Sequence, residues 1–199
     1  MNSTHTIRGK RLTRSFYERP TLEVAEEIIG KYIVFDKNGH RKSAKITEVE
    51  AYIGQDDPAC HAARGMTKRN AIMFGRGGFA YVYLIYGMYH CLNFVTESKG
   101  FPAAILLRSA EPIEGFDFCQ GSDKKMLSGP GKFCRVFQIN LTHNSLDLTN
   151  GHLYLQDRGA ETTIVKTPRI GISSGKGHLW RICDAQSQFL SQPLKSRRS

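Results

Sequence analysis

The chain has 199 residues, 40% hydrophobic and 23% charged, which describes an ordinary globular protein and excludes a disordered or fibrous one. Lys and Arg outnumber Asp and Glu by 28 to 18, a formal net charge of +10. An excess of that size points to a polyanionic partner, nucleic acid or an acidic membrane surface, although a solvated basic face gives the same count.

Cys60, Cys91, Cys119, Cys134 and Cys183 are odd in number and include no C-x-x-C pair. Such spacing implies neither a disulfide framework nor a cysteine-rich zinc site and agrees with reduced thiols. The N-terminal "MNSTHTIRGKRLTR" has no apolar signal core, and the apolar stretch 79–95 is broken by Gly87, His90 and Asn93. The expectation is an intracellular chain without a membrane span, in the cytoplasm or nucleoid if bacterial and the nucleus if eukaryotic.

After a basic arm over about residues 1–14, "PTLEVAEEIIGK" places Leu22, Ala25, Ile28 and Ile29 on one helical face, with Gly30 as the stop. "YIVFDKNGHRKSAKITEVEAY" reads as two strands around Asn38-Gly39, a strong hairpin signal. Residues 53–70 read as loop, and "RNAIMF" as a short helical turn. Strand-like runs follow at 79–86, 89–96 and 103–109. "SGPGKFCRVFQI" enters a helix with Phe133, Val136, Phe137 and Ile139 as its apolar stripe. Short strands at "HLYLQD", "RIGIS" and "HLWRIC" precede a basic tail from about residue 191, expected to be flexible like the arm. The pattern predicts one mixed α/β (α+β) domain over 1–199. It is built on a curved, largely antiparallel sheet with a protruding β-hairpin.

That hairpin is "YVYLIYGMYHCLNF". Alternation puts Tyr81 and Tyr83 on one strand face and Val82 and Leu84 on the other. Strand tyrosines ordinarily pack a core. Tyr86, Met88 and Tyr89, around the Gly87 turn, fall at an exposed tip, where apolar rings are unfavourable unless something covers them. In a basic protein, an opened base step is one such cover.

In "TEVEAYIGQDDPACH", Glu48 and Glu50 share a strand face, followed by Tyr52 and then Asp56, Asp57 and His61. Three readings stay open on spacing alone. The carboxylates are a solvated, salt-bridged surface; or Glu48, Glu50, Asp57 and His61 hold Mg²⁺ or Mn²⁺ in a nuclease; or one carboxylate is a general base. Arg108 closes the apolar run "AAILLR" and can pair with Glu50, with Glu111 as the competing partner.

In order along the chain, "EVEAYIGQDDPACH", "GMTKRNAIMF", "GRGGFAYVYLIYGMYHCLNF", "ILLRSAEP" and "SGPGKFC" resemble the 3-methyladenine (alkyladenine) DNA glycosylase family. The resemblance runs from about residue 10 to about residue 190. It implies a monofunctional enzyme that flips alkylated or deaminated purines out of double-stranded DNA and hydrolyses the N-glycosidic bond, leaving an abasic site. By the same resemblance, Glu50 is the general base and Arg108 helps place the attacking water. Tyr52, His61, Tyr83 and Ala59 hold the flipped base, and Asn93 guards against normal guanine. Tyr86 fills the gap in the stack, with Met88 and Tyr89 beside it in the minor groove. Thr67, Arg69 and Lys132 meet the DNA backbone. No metal and no cofactor are implied.

Val49, Cys60 and His90 depart from the family's more usual threonine, alanine and aromatic residue. The chemistry suits the residues. Aromatic walls stack on a flipped purine and attract one made cationic by alkylation, by roughly 0.5–2 kcal/mol. A cationic base leaves readily, so one base activating water suffices and Glu48 reads as structural. Competing readings are the metal-dependent nuclease and a non-catalytic damaged-DNA binding protein. A monomer is expected, since no assembly element is visible.

Overall fold

The computed structural model describes residues 9–116 and 125–194; Cys119 and the tail "KSRRS" lie outside them. The described strands are β1 (Lys10–Arg11), β2 (Tyr32–Lys37), β3 (His40–Ile53), β4 (Ala80–Ile85), β5 (Tyr89–Val95), β6 (Ala103–Glu114), β7 (Leu153–Asp157), β8 (Ile164–Thr167) and β9 (Arg181–Asp184). They form one antiparallel sheet in the order β1-β7-β2-β3-β6-β5-β4. Along its second half β3 exchanges its neighbour β2 for β9, which pairs in turn with β8.

Local chemistry accounts for the main elements. Asn38 and Gly39 both take positive φ, 53° and 78°, and set Lys37 opposite His40 at the start of the β2–β3 hairpin. The helix expected after Pro20 runs from Thr21 to Glu27 as α2, following the short α1 (Arg14–Tyr17). Ile28 caps α2, and Gly30, at φ 82°, turns the chain into β2. Val24, Ala25, Ile28 and Ile29 are buried. "GPGKFCRV" forms α3 (Pro130–Val136), with Pro130 in its first turn and Phe133 and Cys134 buried.

The sheet has two covered faces. On one, α2 and α3 pack against Ile46, Val49, Ala51, Val82, Leu92, Phe94, Ile105 and Leu107 in the main core. On the other, a smaller cluster of Cys60, Ala62, Met73, Tyr81 and Ala104 lies under the loop 54–70. That loop is tied down by Asn70, whose side-chain amide donates to the carbonyls of His61 and Gly65. The turn expected at "RNAIMF" is a 3₁₀ helix, Ala71–Phe74.

Two irregularities between β3 and β6 position the site. Ile46 pairs with Ala110 and Glu48 with Ser109, which leaves Thr47 extra; Val49 then pairs with Leu107, which leaves Arg108 extra. Core-facing positions therefore change phase, from Ala44 and Ile46 to Val49 and Ala51 on β3, and from Ala110 to Leu107 and Ile105 on β6.

One expected strand is absent. "RIGIS" alternates like a strand, yet residues 169–173 have no strand partner. Pro168 supplies no amide donor, Gly171 takes φ 73°, and Arg169 is drawn inward to Asp57. The adjoining Ile164–Thr167 forms β8 instead. The basic arm joins the sheet through β1, and Arg14 bonds Gly77, Asp147 and Thr149.

Candidate active site

A cavity of about 570 Å³ opens on the second face of the sheet. Ala104, Leu106 and Arg108 of β6, Cys91 and Asn93 of β5, and Tyr81 and Tyr83 of β4 all line it, each set sharing one face of its strand. Tyr52, Ala59, His61 and Met73 line it from β3 and the loop 54–74. Gly129–Lys132 and Ile170–Ile172 contribute further wall. Nine of the thirteen residues assigned from sequence to base, backbone or wedge roles and to chemistry line this cavity: Tyr52, Ala59, His61, Tyr83, Asn93, Tyr86, Tyr89, Lys132 and Arg108; Glu50 is bonded immediately behind the wall, and Met88, Thr67 and Arg69 do not line it.

Glu50 is fully buried. Its Oε2 accepts from the Tyr52 hydroxyl at 2.9 Å and from Arg108 Nη1 at 3.2 Å, and its Oε1 accepts from the Ile170 amide at 2.7 Å. Carboxylate oxygens each offer two acceptor positions, so Oε1 keeps one beside Ile170. Burial first, and then the neighbouring charge of Glu50, push the Tyr52 hydroxyl well above its ordinary pKa, so it stays a donor.

Glu48 is saturated. Oε1 accepts from Arg108 Nε at 3.0 Å, Arg181 Nε at 2.8 Å and Ser191 Oγ at 2.6 Å, and Oε2 accepts from the Ser191 amide at 2.5 Å. Burial opposes its charge, but the bonds from Arg181 and Ser191 outweigh it and pull its pKa below the ordinary value. Two carboxylates and two guanidiniums balance in this buried quartet. Glu111, the competing partner for Arg108, instead pairs with Lys45 at 2.8 Å.

The metal-centre reading does not survive this geometry. Asp57 is held by both terminal nitrogens of Arg169, at 2.6 and 2.8 Å, and by the amides of Ile53 and Ala59. His61 Nδ1 meets the Tyr81 hydroxyl at 2.9 Å. Glu48 and Glu50 are thus engaged by Arg108 and their other donors, Asp57 by Arg169 and His61 by Tyr81, and the described residues contain no grouping of three or more such donors that could hold a metal ion.

The rings form a continuous wall. His61 stands 4.6 Å from Tyr83, edge to face, and Tyr81 lies 5.3 Å from Tyr83. Partial burial, then the nearby Arg69 charge, lower the His61 pKa, which favours the neutral ring. Asn93 donates from its amide nitrogen to the Tyr81 carbonyl at 3.0 Å, which fixes its orientation. Behind Tyr52, the Arg169 guanidinium sits 4.6 Å from the ring centroid.

The hairpin tip stands clear of the sheet. Tyr86 and Gly87 take φ of 53° and 68°, and the Met88 amide closes the turn onto the Ile85 carbonyl. Tyr86, Met88 and Tyr89 are 81%, 65% and 49% exposed. Bulky residues rarely adopt positive φ, so the turn keeps a large ring outside at a conformational cost. Thr67, Arg69 and Lys132 are exposed; Lys132 lines the cavity, and Arg69 is folded 4.9 Å over the ring of Tyr83, which also lines it. Val49 points into the main core, and Cys60 is buried beside the pocket. Cys60, Cys91, Cys134 and Cys183 are all free and buried, and burial raises Cys60 to about 11.

Sequence reasoning missed Arg181, Ser191, Arg169 and the Ile170 amide. A signal existed for the first: two buried carboxylates need two cations, and Arg108 supplied one.

A buried carboxylate behind an aromatic cavity, beside an exposed aromatic hairpin on a basic chain, is the equipment of a DNA glycosylase, a hydrolase of N-glycosyl bonds. The chain belongs to the methylpurine-DNA glycosylase family, whose model matches residues 15–188. Relatives provisionally named 3-methyladenine DNA glycosylase occur in Wolbachia sp. subsp. Brugia malayi (54% identical, 85% of this chain, 95% of the relative), Methanocella arvoryzae (48%, 91% and 96%) and Rickettsia rickettsii strain Sheila Smith (50%, 92% and 97%). The chain is therefore a DNA glycosylase for alkylated bases.

Proposed function

We propose that this protein is a monofunctional glycosylase. It flips alkylated purines, and more slowly deaminated ones, out of double-stranded DNA and leaves an abasic site. The observation that carries this reading is Glu50, buried behind the cavity and bonded to Tyr52, Arg108 and the Ile170 amide. Tyr86 fills the emptied position in the stack, Met88 and Tyr89 hold the minor groove, and Thr67, Arg69 and Lys132 meet phosphates. The purine enters between Tyr52, His61 and Tyr83, with Ala59 beside it and Asn93 excluding guanine.

Water then bonds to C1′ and passes its proton to Glu50, while the C1′–N9 bond breaks and its electron pair leaves with the purine. In a 3- or 7-alkylated purine that pair neutralises the positive charge already on the base. Hypoxanthine lacks this charge and is expected to leave more slowly. Lys132 is the only lysine lining the cavity among the described residues, and it is exposed, which supports direct hydrolysis without a Schiff base. The protein is expected to act as a monomer, in the compartment that holds genomic DNA.

The test is a duplex carrying one damaged purine, incubated with enzyme and EDTA, with free base scored separately from strand breaks. Base release without breaks, reduced about 10²- to 10⁴-fold in Glu50→Gln, supports the reading. Release that Glu50→Gln leaves unchanged sinks it.

A further inference from the structure

We propose that the segment 189–192 is a clasp that positions Arg108, with Ser191 as the positioning residue. The inference rests on the reading of Arg108 as the group that faces the attacking water. The segment lies beyond residue 188, where the family match ends, at the start of the tail expected to be loose. Instead it is bonded at every residue. Thr47 donates to the Phe189 carbonyl at 2.5 Å, Ser128 to the Leu190 carbonyl at 3.0 Å, and Arg181 to the Gln192 carbonyl at 2.7 Å.

Ser191 is the centre of this arrangement. Its amide and hydroxyl both donate to Glu48, at 2.5 and 2.6 Å, while its Oγ accepts from Arg108 Nε and Nη2 at 3.3 and 3.2 Å. The hydroxyl therefore bridges carboxylate and guanidinium. Arg108 is an extra residue in its strand, so the ladder alone does not aim it. Glu48 and Ser191 take up its Nε and Nη2, which leaves Nη1 directed at Glu50. Thr47, the matching extra residue on β3, holds the same segment. The clasp thus joins both irregularities to the guanidinium, and a small shift in such a group is worth up to about a hundredfold in rate.

The experiment measures single-turnover release of methylated purines from dimethyl sulfate-treated duplex DNA, together with duplex affinity and Tm. Ser191→Ala is expected to slow release about 10- to 100-fold with affinity unchanged, and Ser191→Thr, which keeps the hydroxyl, to recover most of the rate. Arg108→Lys keeps the charge but cannot reach Ser191 with a fork; in that background Ser191→Ala is expected to add nothing. Wild-type release by Ser191→Ala overturns the proposal, as does an equal loss in both backgrounds or a threonine variant as slow as alanine. Wild-type release by Arg108→Lys overturns the role of Arg108 itself, a separate result. Where the alanine variant melts early, Ser191→Cys, a weaker donor of similar volume, carries the same cycle.

Discussion

Gly131 and Tyr89 leave no room for a side chain between them. A Cβ on Gly131 would stand 3.0 Å from Tyr89 Cδ1 and 3.1 Å from its Cβ. The first turn of α3 therefore buttresses the hairpin close to its tip, at the Ile85–Tyr89 pair. Gly131→Ala must move the ring or the strand, an overpacking cost on the order of 1 kcal/mol. Calorimetry of the free protein should show Tm lowered by about 2–4 °C, and fluorescence anisotropy in a Glu50→Gln background should show duplex affinity weakened as the Tyr89 ring is displaced.

Tyr86 carries a conformational cost that glycine would remove. Relieving a positive φ in a bulky residue gains about 1 kcal/mol, so Tyr86→Gly is expected to raise Tm by about 2–4 °C. On the proposed reading the same variant loses the ring that fills the stack, and base release from duplex should fall. Calorimetry and single-turnover excision on one preparation check the opposed signs. A glycine variant that melts lower, or that excises at the wild-type rate, contradicts this account of the tip.

Asp57 and Arg169 form an ion pair with no exposed side-chain surface, and Arg169 also backs the Tyr52 ring. Arg169→Met would strand a buried carboxylate at a cost of about 3–5 kcal/mol. Adding Asp57→Asn should return part of that loss, because the penalty belongs to the unpaired charge. Urea denaturation of the single and double variants distinguishes this from a simple loss of packing.

Acid should weaken two buried ion-paired carboxylates, Glu48 of the quartet and Asp57 beside Arg169. Glu48 and Asp57 both have folded pKa values below their ordinary ones, each through bonds that overcome burial. Their stabilisation is then complete above the unfolded carboxylate range and is lost as pH falls through the lower folded values. Glu48→Gln should be less stable than wild type at neutral pH, and the gap should narrow below about pH 4. Tm measured against pH for both proteins decides; a constant gap rules out ionised Glu48 as the source.

Much of this was readable in the chain because strand side chains repeat every second residue. Tyr81 and Tyr83, or Glu50 and Tyr52, could be assigned to one face without coordinates. Arg108 could be named a candidate partner of Glu50 from its place at the end of an apolar run, but Glu111 competed for it until the structure gave Glu111 to Lys45. Ser191 and Arg181 could not, since they reach Glu48 from far along the chain and their neighbours show no distinctive pattern. "RIGIS" misled for a related reason: local alternation favours a strand, but the buried pairing of Arg169 with Asp57 outweighs it. The extra residues at Thr47 and Arg108 were also hidden, because a bulge exists only in the relation between two strands.

Those two extra residues cancel. Ile46 faces Ala110 before them and Val49 faces Leu107 after them, in the same alignment. Removing Thr47 or Arg108 alone would slide one strand and turn its remaining side chains to the wrong face. Removing both would restore a regular ladder between Ala44 and Ile53 with its core positions intact, and would take away the arginine bonded to Glu48 and Glu50. The sheet therefore tolerates a change in this stretch only in matched pairs, one residue from each strand, and the guanidinium beside Glu50 is carried by one member of such a pair.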